Sequence, residues 1–340
     1  MKPRKALIAS TISSTIALTC YAISTVAYAA VTRHSQGTPV SVVMARTNSH
    51  WSVPSHIDHE VLTSVSCASV SFCVAVDKIG RASMWDGLSW STPRNLDARS
   101  YLSAVSCAST SFCVALSTSS NGIANSGNGN VIVWNGKSWS SPREIDPNNP
   151  VSSISCPTAT FCLVGDDGGN AVMWNGKIWA SPQEVDSTYA LTSVSCRSAS
   201  FCIAVDGTGY ALVWNGRSWS RPKKIDRASE ALTGVSCASQ SFCASVDSVG
   251  NKFTWNGKSW SGSSHGYLGD TGLLSISCAS ITLCVAAGAG AFLWNGRHWT
   301  AVKSRDSNVS TIMSISCPSI SLCFAVDSAG NAMSYRPIKR

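Results

Sequence analysis

Two residue types in this 340-residue chain recur at spacings that could do chemistry, tryptophan and cysteine. Of 13 Trp, all but Trp51 fall in W-x4-W pairs, from Trp85/Trp90 through Trp294/Trp299. Each pair brackets Asn-Gly or Asp-Gly, the strongest short hairpin signal, because both residues tolerate positive φ. A two-residue turn there would make the paired Trp diagonal neighbours on one face of the hairpin. Indole faces in that position have two uses. They can fill the wide gaps between outer strands, the commoner fate of a large aromatic. They can also stack on sugar rings, and a repeated stacking face would bind a glycan multivalently, with avidity set by geometry. The candidate ligand-binding set is Trp51 and the second member of each pair: Trp90, Trp139, Trp179, Trp219, Trp260 and Trp299.

Cysteine follows the same order. Apart from Cys20, the 15 Cys fall in C-x5-C pairs: Cys67/Cys73, Cys107/Cys113, Cys156/Cys162, Cys196/Cys202, Cys237/Cys243, Cys278/Cys284 and Cys317/Cys323. In an exported chain an even, regularly spaced set is a disulfide framework. Zinc would ask for tighter C-x2-4-C pairs with a second pair or His nearby, and the repeats hold no such His. A staple closing so short a loop is worth about 2 kcal/mol on the chain-entropy estimate.

Carboxylates offer less. Asp77, Asp206, Asp247 and Asp327 each precede a Gly by three residues, as in an Asp that accepts N–H bonds within its own turn. Asp58, Asp97, Asp146, Asp186 and Asp226 end another recurring segment of the repeat and take the same reading. Ser55 to Glu60 read SHIDHE, where His56, Asp58, His59 and Glu60 could be taken for metal ligands. In a strand His56 and Asp58 share a face and His59 does not, so solvated polar residues are the simpler account. The acids Glu60, Glu144, Glu184 and Glu230 have no distinctive setting, and no nucleophile-elbow motif appears. No catalytic constellation, cofactor or metal is expected.

These residues need a scaffold that repeats as they do. Measured from first Cys to first Cys the steps are 40, 49, 40, 41, 41 and 39 residues. A period near 40 built from several short strands is a propeller signature. In the third copy, Val151 to Cys156 reads as strand a, Phe161 to Gly165 as b, Asn170 to Trp174 as c and Lys177 to Asp186 as d. Pro182 cannot donate to a ladder, so strand d belongs at the outer edge. Strand b is apolar on both faces, with Phe72, Val74 and Val76 opposite Cys73 and Ala75, as blades stacked large side to small side require. The seventh copy ends its strand c at Tyr335 and lacks a strand d, while His50 to Asp58 matches one. The expected fold is all-β: a seven-bladed propeller of four-stranded antiparallel blades over residues 47–340, its ring closed by that N-terminal outer strand (three strands plus one). Two irregular loops, residues 117–130 and 262–272, interrupt the pattern.

Residues 1–29 read as a secretory signal peptide, with Lys2, Arg4 and Lys5, an apolar run, and Ala27-Tyr28-Ala29 placing cleavage after Ala29. Residues 30–46 read as a linker. Loss of the three basic residues takes the formal charge from +8 to +5, spread thinly, which argues against nucleic-acid binding. No later stretch is apolar enough to span a membrane.

The segments WDGLSWS (Trp85 to Ser91) and WNGKSWS (Trp134 to Ser140) resemble the outer hairpin of propeller lectins, including the tectonin-like and fucose-binding groups. The whole mature chain is similar to repeat-rich exported bacterial proteins built from SCASxSFCVAVDxxGNAxxWNGxSW units. The lectin resemblance implies sugar binding at the hairpins, although those lectins generally lack the paired cysteines. The expectation is a secreted, monomeric, non-catalytic binding module with a glycan as ligand. The alternatives are a scaffold for exported or surface proteins and, third, a glycoside hydrolase or lyase of propeller fold.

Overall fold

The computed structural model describes residues 51–98, 100–118, 127–262, 272–302 and 310–336. Residues 1–29 and 30–46, expected from the sequence to be a signal peptide and a linker, lie outside these residues, as do the centres of both irregular loops.

The described chain forms seven sheets of four antiparallel strands. Each opens with a strand a: Leu62–Ser69, Tyr101–Ser109, Val151–Thr158, Leu191–Ser198, Leu232–Ser239, Leu273–Ser280 and Ile312–Ser319. These define blades one to seven. Blade three continues with Phe161–Asp166, Asn170–Trp174 and Gln183–Glu184 as strands b, c and d. Strands a and b run longer than the sequence suggests, and d is cut to two residues. Pro182 and the residues around it leave the ladder, and Trp174 and Trp179 meet there only through an isolated bridge. The last blade draws its outer strand from the N-terminal side: Ser55–His56 pairs antiparallel with Asn331–Tyr335, with Ser55 opposite Ala332.

Alternation within strand b supplies the cores. Val74 and Val76 pack toward blade two with Leu102, Val105 and Ile132, while Cys73 and Ala75 face blade seven with Phe324 and Val326. Fully burying one Val or Leu is worth roughly 1.5–3 kcal/mol, and every joint buries several.

Each Cys pair sits at bonding distance, with Cα atoms 3.9–4.1 Å apart. The pairs join strand a to strand b within one blade: Cys67 to Cys73, Cys107 to Cys113, Cys156 to Cys162, Cys196 to Cys202, Cys237 to Cys243, Cys278 to Cys284 and Cys317 to Cys323. In five blades the two are direct cross-strand partners. Blades three and seven differ. There Pro157 and Pro318 follow the first Cys, offer no N–H to the ladder, and the register shift takes in that Cys. The sequence expects these pairs as disulfide staples, and the fold brings all seven to bonding distance. Cys73, Cys113, Cys162, Cys202, Cys243, Cys284 and Cys323 are 0% exposed in the middle of the sheet. Sealed in the core, their sulfurs can touch no ligand, so their part is to staple and pack.

Between blades the joints are polar at the centre. The serine before each first Cys accepts the N–H of the first Cys in the following blade. Ser66 serves Cys107 at 2.9 Å, Ser195 serves Cys237 at 3.0 Å, and Ser316 of the last blade serves Cys67 of the first at 3.0 Å. Ser106, Ser155, Ser236 and Ser277 complete a belt of seven. A second serine two residues earlier, on the same strand face, adds another bond where present, as Ser64 does to Val105 N–H at 3.1 Å. This belt takes up N–H groups that the inner edge strand would otherwise leave open.

Candidate functional site

The W-x4-W hairpins close differently from expectation. Trp85 and Trp90 are direct cross-strand partners, not diagonal ones, and Asp86 N–H donates to Ser89 C=O across a four-residue loop. In blade two the Asn135 side chain accepts the N–H groups of Lys137 and Ser138, both at 2.9 Å. That side chain replaces the second positive-φ residue of a two-residue turn. Only Gly136 is left-handed, at φ 90°, and a Cβ there would sit 3.0 Å from Ser111 Cβ.

The paired rings pack tilted, centroids 5.4–5.8 Å apart, and both sit on the core shared with the preceding blade. The first Trp is tied down: its Nε1–H donates to a carbonyl in the a–b turn of its own blade, as Trp134 does to Thr110 at 3.0 Å. The second Trp is half-buried in Trp90, Trp139, Trp179, Trp219, Trp260 and Trp299. Among the described residues none of these six indole N–H groups has a hydrogen-bond partner. Trp51 departs from the set. It is 4% exposed and packs 5.2 Å from Tyr335 in the core between blades six and seven, so it offers no face to a ligand. Tyr335, smaller than the usual Trp, leaves room for it to sink inward.

Two outer grooves stand out. The seam groove, about 730 Å³, lies where blade seven meets blade one, and Trp90 lines it. The second, about 550 Å³, lies between blades two and three, and Trp179 lines it. They occupy equivalent places but hold different residues. The blade two–three groove presents Arg143, Glu144, Asn148, Asn149 and Asn170 around Trp179. The seam groove presents His56, His59 and Arg81 over a floor of Trp85, Trp90 and Phe324. Phe324 lies 5.4 Å from Trp85 and edge-on to Trp90 at 6.2 Å. Its rims are apolar: Leu88 is 89% exposed and Val53 79%. The other hairpins carry Lys137, Lys177, Arg217, Lys258 or Arg297 where blade one has Leu88.

His56 and His59 come together, contrary to the strand expectation. The strand ends at His56, the chain bends, and His59 Nδ1 returns to 3.2 Å from His56 Nε2. Even so, no group of three or more metal-ligating side chains occurs among the described residues.

The aspartates hold turns, as their spacing suggests. Asp77 Oδ1 accepts Ile79 N–H at 3.0 Å and Arg81 N–H at 2.7 Å. The Gly of the motif then clamps strand d: Gly169 C=O accepts the N–H groups of Val185 and Asp186. Gly169 has φ 76°, and a Cβ there would lie 1.9 Å from the Asp186 carbonyl oxygen, so no other residue fits. The sequence does not say that the strand d Asp reaches across the joint to the strand b end of the next blade. Arg81 Nε donates to Asp77 at 2.6 Å, and its terminal nitrogen bonds Asp58 from blade seven. Burial pushes the Asp58 carboxyl up, helped by the Asp77 charge, while Glu60 N–H and Arg81 pull it back.

No protein-family model matches the chain, and no curated protein matches it. Solved structures do match in fold. The WD40 β-propeller domain of Doa1 superposes with a TM-score of 0.70 at 12% identity, covering 86% of this chain and 98% of that one. YCF48 bound to D1 peptide gives 0.65 at 15% identity, covering 85% and 96%. YCF48 from Cyanidioschyzon merolae gives 0.65 at 14% identity, covering 84% and 99%. The chain is an all-β, seven-bladed β-propeller. Propellers commonly serve as binding or scaffold modules, and the seven paired cysteines suit an oxidising setting.

Proposed function

We propose that this propeller is a secreted, non-catalytic binding module that takes carbohydrate in an outer interblade groove. One observation carries the reading. In the blade two–three groove a half-buried Trp179 with an unpartnered indole N–H stands beside three Asn and an Arg143/Glu144 couple. An apolar ring face framed by amides and charges is the chemistry that holds a pyranose: stacking for its C–H face, directed hydrogen bonds for its hydroxyls. A glycan array followed by calorimetry on the oxidised protein tests it. Trp179→Ala should abolish binding at this groove while the near-UV and far-UV spectra stay propeller-like. A folded wild type that binds no glycan on the array would end the reading.

A second reading, a scaffold for exported or surface proteins, draws support from the seam groove. Leu88 and Val53 expose apolar side chains on opposite rims of an aromatic floor, which suits a peptide side chain better than a sugar. One propeller of similar fold is described with a bound peptide. Photo-crosslinking from position 53 should then capture an exported protein, and capture that persists in Leu88→Lys would count against it.

A further inference from the structure

The joints between blades set buried carboxyls against one another, and they differ in how those carboxyls are satisfied. Asp58, Asp77, Asp146, Asp166, Asp186, Asp206, Asp226 and Asp247 are all at most 4% exposed. A buried carboxylate oxygen without a donor is costly, so each joint should supply one. At the seam Arg81 bridges Asp58 and Asp77. Between blades one and two the second Asp is replaced by Ser117, whose hydroxyl donates to Asp97 Oδ2 at 2.9 Å. Asp226 and Asp247 use N–H groups: Glu230 N–H reaches Asp226 Oδ2 at 2.8 Å, and Asn251 Nδ2 reaches Asp247 Oδ2 at 2.7 Å.

Two joints come up short. Asp146 Oδ2, between blades two and three, has no donor, nor do Asp186 Oδ2 and Asp206 Oδ2, between blades three and four. The same two positions meet at other joints, Ser117 on Asp97 at 2.9 Å and Asp77 with Asp58 through Arg81, so Asp166 faces Asp146 and Asp206 faces Asp186. Among the described residues no cation neutralises them. Arg143, Glu144 and Glu184 on the flanking outer strands are exposed, as are Lys223 and Lys224. Lys224 lies over the Tyr210 ring, Tyr189 is 41% exposed, and Asp167 in the turn adds only a further carboxyl. Among the described residues, ion pairs to buried Asp occur only at Arg81.

We propose that these two joints each hold one proton, shared between the carboxyls of Asp146/Asp166 and of Asp186/Asp206, making the ring tighter in weak acid than above neutrality. Two carboxyls in contact cannot both ionise cheaply, and a shared proton is the donor the geometry lacks. The expected electrostatics agree. Burial and the neighbouring Asp146 push Asp166 up to about 7, and burial likewise raises Asp206. Asp146 is lowered: burial works against its ionisation, but hydrogen bonds from Asp166, Asn148 and Asn149 outweigh it. A carboxyl raised from 3.8 to about 7 adds stability that is fully present below 3.8 and lost as pH climbs to 7. The lowered Asp146 adds stability above 3.8 that is lost on stronger acidification. The two together place the optimum in weak acid.

The test uses the full oxidised chain. Aspartyl ¹³Cγ NMR should show carboxyls titrating above pH 5, and Asp166→Ser should remove one of them. Denaturant titration should show the folding equilibrium constant falling on the order of 100-fold between pH 5 and pH 8 through the Asp166 joint. Asp166→Ser and Asp206→Ser copy the Asp97/Ser117 joint and should each flatten that dependence. The proposal is overturned if no aspartyl carbon titrates above pH 5, or if the serine variants keep the wild-type pH dependence. It is also overturned if EDTA lowers wild-type stability at fixed pH, since a cation would then hold the carboxyls together. Should the variants fail to fold, the wild-type NMR titration decides alone.

Discussion

The seam joint and the joint between blades two and three are built from the same repeat and end as chemical opposites. At the seam Arg81 bridges the buried Asp58 and Asp77, and the groove outside is aromatic with apolar rims. Between blades two and three Asn170 stands where Arg81 would be, the Asp146/Asp166 pair has no cation among the described residues, and the groove outside is lined by amides and charges. The backbone of the joint is common to both. What varies are positions at the end of the b–c turn, the tip of the c–d hairpin and the start of strand d. A repeat can therefore hold the ring constant while its outer grooves are chemically independent. This is why two grooves can carry two different readings, glycan and peptide, in one molecule.

The comparison breaks hardest at Arg81. Arg81→Asn turns the seam into a blade two–three joint and leaves two buried carboxylates without their cation. Stability should drop by about 3 kcal/mol at pH 8, the usual cost of orphaning a buried charge. Part of the loss should return at pH 5, because without the Arg81 charge the pair takes up a proton more readily and regains stability as pH falls. Equilibrium denaturation at both pH values reads this directly. The reciprocal Asn170→Arg should flatten the pH dependence of the blade two–three joint. If Arg81→Asn costs the same at both pH values, the two joints do not differ in their protonation.

A smaller effect tests what the joints share. Ser316 accepts the Cys67 N–H across 249 residues of chain, and Ser195 does the same between neighbouring blades. Ser316→Ala and Ser195→Ala should each cost about 1 kcal/mol, the typical worth of one such bond. Matching midpoint shifts in urea would show the seam to be an ordinary joint. A much larger shift for Ser316→Ala would make the seam the weak point of the ring.

Much of this was legible in the chain. The period, the Cys pairs and the edge prolines give the propeller, because those signals are local and repeat seven times. The partner of Tyr335 was legible too, since Trp51 to Asp58 matches a missing outer strand. The serine belt was also written there, as Ser directly before each first Cys. It escapes a reading that attends to apolar alternation alone, since a polar inner strand looks merely solvated. The Asp pairs were harder. Asp146 and Asp166 are separate turn residues in sequence, and only the stagger of one blade on the next brings them together. The hairpin failed for a different reason: Asn-Gly signals a turn, but the Asn135 side chain, not a second positive φ, closes it. The unequal grooves were visible as departures from the repeat, Leu88 for Lys and Phe324 for smaller aliphatics.

The subtlest of those departures gives the smallest expected effect on stability and the sharpest on recognition. Leu88 is 89% exposed at the hairpin tip, so Leu88→Lys removes almost no buried area and should shift the unfolding free energy by less than about 0.5 kcal/mol. It restores the cation every other hairpin carries, and it places a strongly hydrated charge at the mouth of the aromatic floor. If the seam groove holds an apolar peptide side chain, desolvating that charge should weaken binding at least tenfold with the fold untouched. Glycan binding at Trp179 should not change, because that groove opens between other blades. Calorimetry with a peptide ligand and a glycan ligand on the same variant separates these outcomes. Loss of both would mean the grooves are coupled, and loss of neither would make the apolar rim incidental.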